Sequence, residues 1–286
     1  MTRGDSRETS PALSTRQPVP PVLDTRTPNV ARMYDYYLGG KDNFAADRAA
    51  AQKIIDLAPD APEKARANRA FLGRTVRYLA AQGIRQFVDI GAGLPTQENV
   101  HQVALAEHPD SRIVYVDNDP VVLTHARALL ADNPNTLVVE GDVHAPQAIL
   151  DHPDVQAHLD FDRPVATLLL AVLHFVQDDE EANRIVASLR ERLVPGSHLV
   201  ISHIYPGNHL AETIRAGARI YDTTTASLTG RSLTQIAGYF AGDMEVLEPG
   251  VVPVQAWRPV EKVGIDLVAP GILGAVGKVL RSRVRP

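Results

Sequence analysis

Residues 86–96 constrain the fold of this chain more than any other stretch. A short apolar run ends at Asp89 and Ile90 and passes directly into the turn Gly91-Ala92-Gly93-Leu94-Pro95. A helical pattern follows over residues 97–107, and Thr96 is placed to cap it. A strand, a tight glycine turn and a helix predict the first unit of a nucleotide-binding α/β sheet. The turn lacks the third glycine of the Gly-x-Gly-x-x-Gly pattern found in dinucleotide-binding enzymes.

Composition sets the broad class of the protein. The chain has 286 residues, of which 44% are hydrophobic and 22% charged, so we expect one large domain with additions. A net charge of -5 gives no general attraction to nucleic acid or to anionic membranes. The absence of cysteine excludes disulfides, thiolate metal sites and cysteine nucleophiles. Without a long apolar run or a signal-peptide core, the sequence predicts a soluble cytoplasmic protein.

Three regions can be distinguished along the chain. Residues 1–23 are rich in Pro, Ser, Thr and charge and are predicted to be a disordered tail, with an ordered lid as the alternative. Residues 24–83 contain three helical patterns that we expect to form an N-terminal helical cap over a sheet. Residues 84–286 form the predicted ligand-binding core, with a helical insertion at about 205–242 that would line a substrate site.

Strand and helix patterns alternate regularly after the glycine turn. Further strands are predicted at 112–116, 136–139, 165–172 and 198–204, with helices at 121–131 and 178–193 between them. This alternation predicts a parallel, doubly wound sheet. The run 165–172 is nearly all apolar, as expected of a strand buried on both faces. Two later strands are predicted at 244–247 and within 272–280.

Three carboxylates follow the first three predicted strands. They are Asp89, Asp117 and Asp142, and open α/β sheets bind ligands at the carboxyl ends of their strands. The glycine turn would let a ligand approach the backbone closely. Asp117 could accept hydrogen bonds from both hydroxyls of a ribose. Asp142 could accept one from the amino group of adenine while Val143 packs near the ring, so the pattern fits a nucleoside with an intact ribose.

A capping role is the alternative for two of the acids that follow the second strand. Asp117 and Asp119 could both serve only to cap the next helix. We prefer this interpretation for Asp119, because it directly precedes Pro120.

Several of these runs resemble a known family. Phe87-Val-Asp-Ile-Gly-Ala-Gly-Leu-Pro95, Tyr115-Val-Asp-Asn-Asp119 and Glu140-Gly-Asp-Val143 look like class I S-adenosylmethionine-dependent methyltransferases. The runs Arg32-Met-Tyr-Asp-Tyr-Tyr-Leu-Gly-Gly-Lys-Asp-Asn-Phe44, Arg66-Ala-Asn-Arg-Ala-Phe71 and Ala171-Val-Leu-His-Phe-Val176 resemble an actinobacterial S-adenosyl methyltransferase family formerly of unknown function (DUF574-like). The resemblance extends from about residue 24 to the C-terminus. It implies a Rossmann-like, seven-stranded doubly wound sheet whose last strand, within 272–280, is antiparallel.

The resemblance also implies which residues bind S-adenosylmethionine. The glycine turn would hold the methionine part, and Asp89 would orient the turn or reach the amino group through water. Asp117 would hold the ribose and Asp142 the adenine, while residues of the helical cap would close over the cofactor. No metal is required, and the sequence shows no cluster of metal ligands. The residues expected at the cofactor are Asp89, Gly91, Ala92, Gly93, Asp117, Asn118, Asp142, Val143, Gly40, Asn43 and Arg69.

His174 is the predicted catalytic residue. Attack on a sulfonium methyl group needs mainly alignment and exclusion of water, but a hydroxyl or ammonium acceptor must also lose a proton. His174 follows the fourth strand, where a general base could face the substrate; a hydrogen-bonded histidine at a strand end is the alternative. The tyrosines could instead have structural roles, which we prefer for Tyr34. Residues expected to contact the substrate are Tyr37, His174, Phe175, His203 and Tyr205.

Three functions fit these patterns. The first is methyl transfer to a small-molecule acceptor, and the second is binding of S-adenosylmethionine without turnover, in regulation or as a scaffold. The third, an NAD-dependent oxidoreductase, is disfavoured by the Gly-x-Gly-x-Pro turn and by the lack of a Tyr-x-x-x-Lys pair after the fourth strand. No basic stripe interleaved with aromatic residues indicates a nucleic-acid partner, and no membrane partner is expected. The oligomeric state leaves no signal in the sequence.

Overall fold

One mixed sheet of eight strands organises the part of the chain that the computed structural model describes, residues 24–95, 98–130 and 133–280. Seven strands follow the order β3-β2-β1-β4-β5-β8-β6, and β7 pairs with β8 beside this path. The predicted sheet is thus confirmed, but with eight strands instead of seven. The extra strand has only two residues, one of them proline, and so carries no readable alternation. The strands are β1 Gln86–Ile90, β2 Arg112–Asp117, β3 Thr136–Glu140, β4 Ala166–Leu170, β5 His198–Tyr205, β6 Met244–Val246, β7 Val252–Pro253 and β8 Gly271–Val279.

The last strand runs antiparallel to its neighbours, as the sequence predicted. Strands β1 to β5 are parallel to one another, whereas β8 pairs antiparallel with β5, β6 and β7. Two glycines of β8 leave room for aromatic rings, one on each face of the sheet. A Cβ at Gly274 would lie 2.8 Å from Phe71 Cζ, and a Cβ at Gly277 would lie 2.6 Å from Phe240 Cδ1.

Ten helices accompany the sheet in the described residues. The helix after the glycine turn begins at Val100, three residues later than predicted, because Asn99 is its N-cap; Thr96 and Gln97 lie outside the described residues. Two short helices between β3 and β4 were not predicted. The helices are α1 Val30–Tyr37, α2 Ala45–Leu57, α3 Ala61–Ala81, α4 Val100–Glu107, α5 Pro120–Leu130, α6 Pro146–Leu150, α7 Pro153–His158, α8 Asp179–Arg190, α9 Ala211–Tyr221 and α10 Leu233–Gly238, with 3-10 turns at Leu173–Phe175 and Val254–Ala256.

Hydrophobic cores fill both faces of the sheet. Alternate residues of β1 belong to opposite cores: Val88 and Ile90 pack with α8, and Phe87 packs with α3. Because β1 is buried along its whole length, its sequence is apolar except for Gln86 and the strand-end acid Asp89. Burial of each large apolar side chain contributes about 1.5–3 kcal/mol, so these cores fix where the strand ends lie.

Helices α1, α2 and α3 lie over the carboxyl edge of the sheet. Helix α3 packs on the sheet through Phe71, whose ring centroid lies 5.6 Å from that of the buried Trp257. Helices α1 and α2 form a smaller cluster that includes partly buried residues of α9. The buried Arg32 joins them, since its Nε donates to Asp47 Oδ2 over 2.9 Å. The Tyr34 hydroxyl donates to the Ala65 carbonyl of α3 over 3.0 Å.

The tail predicted at residues 1–23 lies outside the described residues. In the described part of the chain, none of the helices combines the length and the apolar character needed to cross a membrane.

Candidate active site

A cavity of about 820 Å³ lies at the carboxyl ends of the parallel strands. The ends of β1 to β5 form its floor, and α1, α2, α3 and α9 supply the opposite side. The cavity brings most of the predicted site residues together. Those that line it are Asp89, Gly91, Ala92, Gly93, Asp117, Asn118, Asp142, Val143, Arg69, Tyr37, His174, Phe175 and Tyr205.

The glycine turn has a left-handed backbone at two positions. The φ angle is 73° at Gly91 and 66° at Gly93, values that L side chains rarely adopt. A Cβ at Gly91 would lie 2.6 Å from Val172 Cγ2, so packing within the protein also requires glycine there. A Cβ at Gly93 would have no described atom within 4 Å. The space beside Gly93 is therefore open to a ligand.

Asp117 ties the end of β2 to this turn. Its Oδ2 accepts a hydrogen bond from the Gly93 amide over 2.9 Å, and its Oδ1 accepts one from the Asp119 amide over 3.0 Å. Burial raises the pKa of the Asp117 carboxyl above its ordinary value. Each oxygen keeps a lone pair that can accept a further hydrogen bond from a ligand in the cavity. Asp119 Oδ1 accepts from the Val121 amide over 2.6 Å, which confirms the capping role predicted for Asp119.

Asp89 and Arg69 both line the cavity, and the guanidinium is close enough to influence the carboxyl. Asp89 is buried at the end of β1, and burial raises the pKa of its carboxyl to about 7. The guanidinium of Arg69 partly opposes this rise in the pKa, and the nearby Asp117 carboxylate adds to it. Arg69 is held by Asn99, the N-cap of α4, whose Oδ1 accepts from Nη2 over 2.5 Å. A buried carboxyl with a pKa near neutrality is typical of ligand-binding sites.

Asp142 and Val143 line the cavity immediately after β3. Asp142 Oδ1 accepts a hydrogen bond from the His144 amide over 2.9 Å, which orients the carboxylate at the strand end. Val143 is partly buried against the core on the α8 side of the sheet. The pair thus presents one acceptor and one apolar surface at the same edge as Asp117. Among the described residues, no three His, Asp or Glu side chains are grouped to hold a metal ion.

Gly40 and Asn43 do not line the cavity. Asn43 Nδ2 donates to Asp35 Oδ2 over 2.8 Å and to the Gly40 carbonyl over 3.0 Å. A Cβ at Gly40 would collide with the Asp35 carboxylate. These polar residues therefore build the turn between α1 and α2 around the buried Asp35. That Gly40 and Asn43 contact the cofactor stays a prediction, which the lining of this cavity does not support.

His174 lies in the 3-10 turn after β4 and lines the cavity. Its centroid lies 4.5 Å from that of Phe175, which in turn lies 6.1 Å from that of Tyr221. The Tyr221 hydroxyl is 3.4 Å from the Tyr37 hydroxyl. His174, Phe175, Tyr221 and Tyr37 thus form one continuous side of the cavity. Tyr205 also lines it, but its hydroxyl donates to the Leu267 carbonyl over 2.8 Å.

His203 is placed behind this side and does not line the cavity. Its Nδ1 lies 2.8 Å from the Ile204 carbonyl and its Nε2 lies 3.0 Å from Arg231 Nη1. Since a guanidinium can only donate, Nε2 accepts and Nδ1 carries the proton. Burial, with the Arg231 charge, lowers the pKa of His203 to about 4. Both ring nitrogens are therefore engaged within the protein, and a contact of His203 with a substrate stays a prediction.

Arg231 is a residue that sequence reasoning missed. It is 1% exposed, and its guanidinium donates to the carbonyls of Leu173 and Val176 over 2.9 and 2.8 Å. Its Nε also donates to Asp179 Oδ1 over 2.9 Å. Arg231 therefore fixes the backbone turn that carries His174. Nothing in the sequence Gly-Arg-Ser at 230–232 separates a buried arginine from an exposed one.

The environment of His174 does not favour the role of general base. Burial, together with the neighbouring His203 and Arg231, holds the pKa of His174 well below 6.5. Its Nδ1 is buried and has no hydrogen-bond partner among the described residues, so no carboxylate stabilises an imidazolium. The ring is neutral at pH 7, and its role as a base stays a prediction.

Helix α9 lies within the helical insertion that was predicted, without named residues, to line the substrate site. Thr213, Ile214, Gly217 and Tyr221 of α9 line the cavity. The helix has no fully buried residue: Ile220 and Tyr221 pack against the cluster formed by α1 and α2, while Thr213, Ile214 and Gly217 are at least partly exposed toward the cavity. Asn68 of α3, which is 4% exposed, is a further lining residue that the sequence analysis did not single out.

Comparisons with known proteins agree on the family and on the fold. A family model described as S-adenosyl methyltransferase matches residues 16–279. A crystal structure from Thermobifida fusca YX, solved as a candidate methyltransferase, is 44% identical, covering 91% of this chain and 98% of that chain with a TM-score of 0.84. A crystal structure of a DUF574 family protein from Streptomyces avermitilis MA-4680 is 39% identical, covering 90% of this chain and 99% of that chain with a TM-score of 0.83.

A curated relative matches a shorter region. An ornithine lipid N-methyltransferase from Singulisphaera acidiphila is 32% identical over 103 residues, which is 36% of this chain and 49% of the relative. The chain thus spans about half the length of this relative.

Proposed function

The chain belongs to the S-adenosyl methyltransferase family. We propose that it methylates a small, largely apolar molecule that binds beside the cofactor in the same cavity. It is an S-adenosylmethionine-dependent methyltransferase. One observation carries the proposal about the acceptor. A single cavity joins the strand-end acids, which suit a nucleoside, to a side lined by Phe175, Tyr221 and Ile214.

The residues at the strand ends fit the cofactor. Asp117 accepts hydrogen bonds from the ribose hydroxyls through the lone pairs that Gly93 and Asp119 leave unused. Asp142 accepts from the adenine amino group, and Val143 packs on the ring. The open space at Gly93 admits the methionine part, whose carboxylate is bound by Arg69.

The protein's part in the chemistry is to align the reactants and exclude water. S-adenosylmethionine supplies a methyl group already activated on a sulfonium. Residues 24–83 act as a helical cap: α1 and α3 close the cavity over the strand ends, and α9 closes its side. Holding both reactants side by side in one cavity makes the transfer effectively unimolecular, and the reactants displace water from the cavity.

The affinity for S-adenosylmethionine is expected to rise with pH around neutrality. The pKa of Asp89 in the free protein is about 7, because burial penalises the carboxylate. The cofactor is cationic at its sulfonium and ammonium groups, so it favours the ionised form of Asp89. Below the pKa the carboxyl must release its proton on binding, and the affinity then falls by up to about tenfold per pH unit.

Calorimetric titrations in buffers of different ionisation enthalpy measure this release. Between about pH 6 and pH 7, binding is expected to release a proton in the parent protein and none in Asp89→Asn. The same proton release in both proteins would show that another group titrates.

Gly93→Ala is expected to weaken S-adenosylmethionine binding by at least about tenfold. The new methyl group would occupy the open space beside the turn, where the proposed pose brings the methionine part close. Gly83→Ala is the matched control. Gly83 also has a positive φ, 93°, and a Cβ there would likewise have no described atom within 4 Å, but this glycine ends α3 away from the cavity.

Both glycine variants are expected to lose about 1 kcal/mol of unfolding free energy, from the left-handed backbone alone. Calorimetry and denaturant titration separate the two effects. An equal affinity of the two variants for S-adenosylmethionine would contradict the proposed pose.

The direct test of the proposed function combines binding with turnover. Calorimetry should show micromolar binding of S-adenosylmethionine and no binding of NAD. A screen with methyl-labelled cofactor should then transfer label to small apolar acceptors but not to DNA or RNA. Binding without transfer to any small molecule, or transfer to nucleic acid, would overturn the proposed acceptor class.

A further inference from the structure

Among the described residues, no carboxylate hydrogen-bonds to His174, Tyr37 or Tyr221, and none contributes to the pKa shifts of these three side chains. Five acidic residues line the cavity, and all of them belong to residues 24–142. Asp89, Asp117, Asp119 and Asp142 lie at strand ends, and Asp24 is exposed and already accepts from the Arg26 amide over 2.8 Å. In the described chain from residue 143 onward, every lining residue is apolar, bears a hydroxyl group, or is a glycine or a histidine. A cationic acceptor would find no counter-charge beside His174, Tyr37 and Tyr221.

The hydroxyls of Tyr37 and Tyr221 leave one proton that can be donated to a ligand. The hydroxyls of Tyr37 and Tyr221 lie 3.4 Å apart and share one hydrogen bond, in which either oxygen can donate. Burial raises the pKa of both phenols, so both keep their protons at neutral pH. Two O–H groups that form one bond between them leave one donor for a ligand.

His174 supplies a second donor. The ring is neutral and its Nδ1 is buried without a partner among the described residues. A proton on Nδ1 would be a buried donor without an acceptor, which costs about 1–3 kcal/mol and is rarer in proteins than an unpaired acceptor. The proton therefore belongs on Nε2, and the ring can donate it into the cavity that His174 lines.

A positive charge lies behind the turn that carries His174. The buried guanidinium of Arg231 binds the carbonyls of Leu173 and Val176, at both ends of the turn that carries His174. Its carboxylate partner Asp179 is half-exposed to solvent, on the side away from the cavity lining. The charge of Arg231 helps to lower the pKa of His174, so at this ring an anion is favoured over a cation.

We infer that the methyl acceptor is a carboxylate on an apolar body, bound by His174 and the Tyr37–Tyr221 pair. This rests on the proposed function of the cavity. A carboxylate leaves water at a cost of several kcal/mol unless donors replace its hydration, and charge-assisted hydrogen bonds contribute about 1.5–3 kcal/mol each. The apolar body packs against Phe175 and Ile214.

The reaction balances without a base. A lone pair of the carboxylate oxygen forms the new O–CH₃ bond as the S–CH₃ bond breaks, and the breaking pair stays on sulfur. The products are a methyl ester and S-adenosylhomocysteine, and no proton is released. This agrees with a neutral His174 that lacks any described partner to stabilise an imidazolium.

Three probes that share one ring system test the charge of the acceptor. Naphthoate, naphthylmethylamine and naphthylmethanol are titrated into the protein saturated with S-adenosylhomocysteine. Because the apolar body is the same, differences in affinity report the polar group. Naphthoate is expected to bind at least about tenfold more tightly than either of the others. Preference for the amine or the alcohol, or no detectable binding of naphthoate, would overturn the inference.

Variants test whether the carboxylate of naphthoate binds to His174 and to the Tyr37–Tyr221 pair. His174→Phe and Tyr221→Phe are each expected to weaken naphthoate binding several-fold and to leave the affinity for S-adenosylhomocysteine unchanged. His198→Phe is the matched control, because His198 is also buried with an unpartnered Nδ1 but does not line the cavity. Equal losses in His174→Phe and His198→Phe would mean that the loss reflects stability.

The protonation of His174 can also be measured in the parent protein, by nitrogen NMR with labelled histidine. This measurement does not depend on the folding of a variant. At pH 7 His174 is expected to be neutral with its proton on Nε2, and a charged ring or a proton on Nδ1 would contradict the inference. Binding of S-adenosylhomocysteine is measured first. Its failure would defeat the proposed function, whereas its success without a preference for naphthoate would defeat only the carboxylate inference.

Discussion

Asp117→Ala is expected to weaken S-adenosylmethionine binding by about a hundredfold, or about 2.7 kcal/mol. The change removes charge-assisted hydrogen bonds to the ribose, which contribute about 1.5–3 kcal/mol each. It also releases the Gly93 amide, which Asp117 Oδ2 holds at 2.9 Å, so the glycine turn loses its attachment to β2. Calorimetry measures the affinity.

A neighbouring acid provides the control for Asp117. Glu140 ends β3, pairs with Asp117 in the sheet register and is exposed, but it does not line the cavity. Glu140→Ala is expected to bind S-adenosylmethionine like the parent protein. Asp117→Asn, which keeps one oxygen acceptor, should fall between the parent and Asp117→Ala. Unchanged affinity in Asp117→Ala would refute the assignment of the ribose to this residue.

Arg231→Leu is expected to lower the free energy of unfolding by about 3 kcal/mol or more. The substitution leaves the carbonyls of Leu173 and Val176 and the Nε2 of His203 without their donor. Each buried acceptor left unsatisfied costs about 1–3 kcal/mol, because the folded protein gives it no water in exchange. Urea denaturation followed by circular dichroism measures the loss.

A substitution of an exposed arginine is the control for the loss of charge, since it removes the same charge without removing buried hydrogen bonds. Arg184 lies on α8 and pairs with Glu180 at 3.9 Å on the surface. Arg184→Leu is expected to change the free energy of unfolding by less than about 0.5 kcal/mol. Losses of similar size in the two variants would show that the buried contacts of Arg231 contribute little.

The sheet could be predicted because its signals are local and repeated. The run 86–90 is apolar and ends at a glycine turn, and the structure places β1 over these residues. The three helical patterns predicted within residues 24–83 correspond to α1, α2 and α3. The β7 strand and the helices α6 and α7 escaped prediction because segments of two to six residues show no periodicity.

The cofactor side of the cavity could be predicted because topology alone assembles it. Parallel strands end at the same edge, so Asp89, Asp117 and Asp142 had to meet once the sheet was recognised. The polar run that contains Gly40 and Asn43 was predicted at the cofactor, whereas both residues bond within their own turn and do not line the cavity. The partner of Asn43 is Asp35, a residue of the same run, and sequence alone does not tell whether such a run turns inward on itself or outward to a ligand.

The acceptor side could be predicted only as a region. Its character depends on Arg231 and Tyr221, which are distant in the chain from His174 and reach it through the fold. The hypothesis of a base at His174 came from its predicted position after β4. The structure confirms this position. What position could not reveal is that Nδ1 has no described partner and that a guanidinium lies behind the turn.

A crystal structure of the complex with S-adenosylhomocysteine tests the central claim most directly. It is expected to show the ribose hydroxyls on Asp117, the adenine beside Asp142 and Val143, and the amino-acid part against Gly93 and Arg69. The sulfur should then point toward the side of the cavity formed by His174, Phe175 and Tyr221. A nucleoside bound elsewhere, or a sulfur that faces away from His174, would contradict the account.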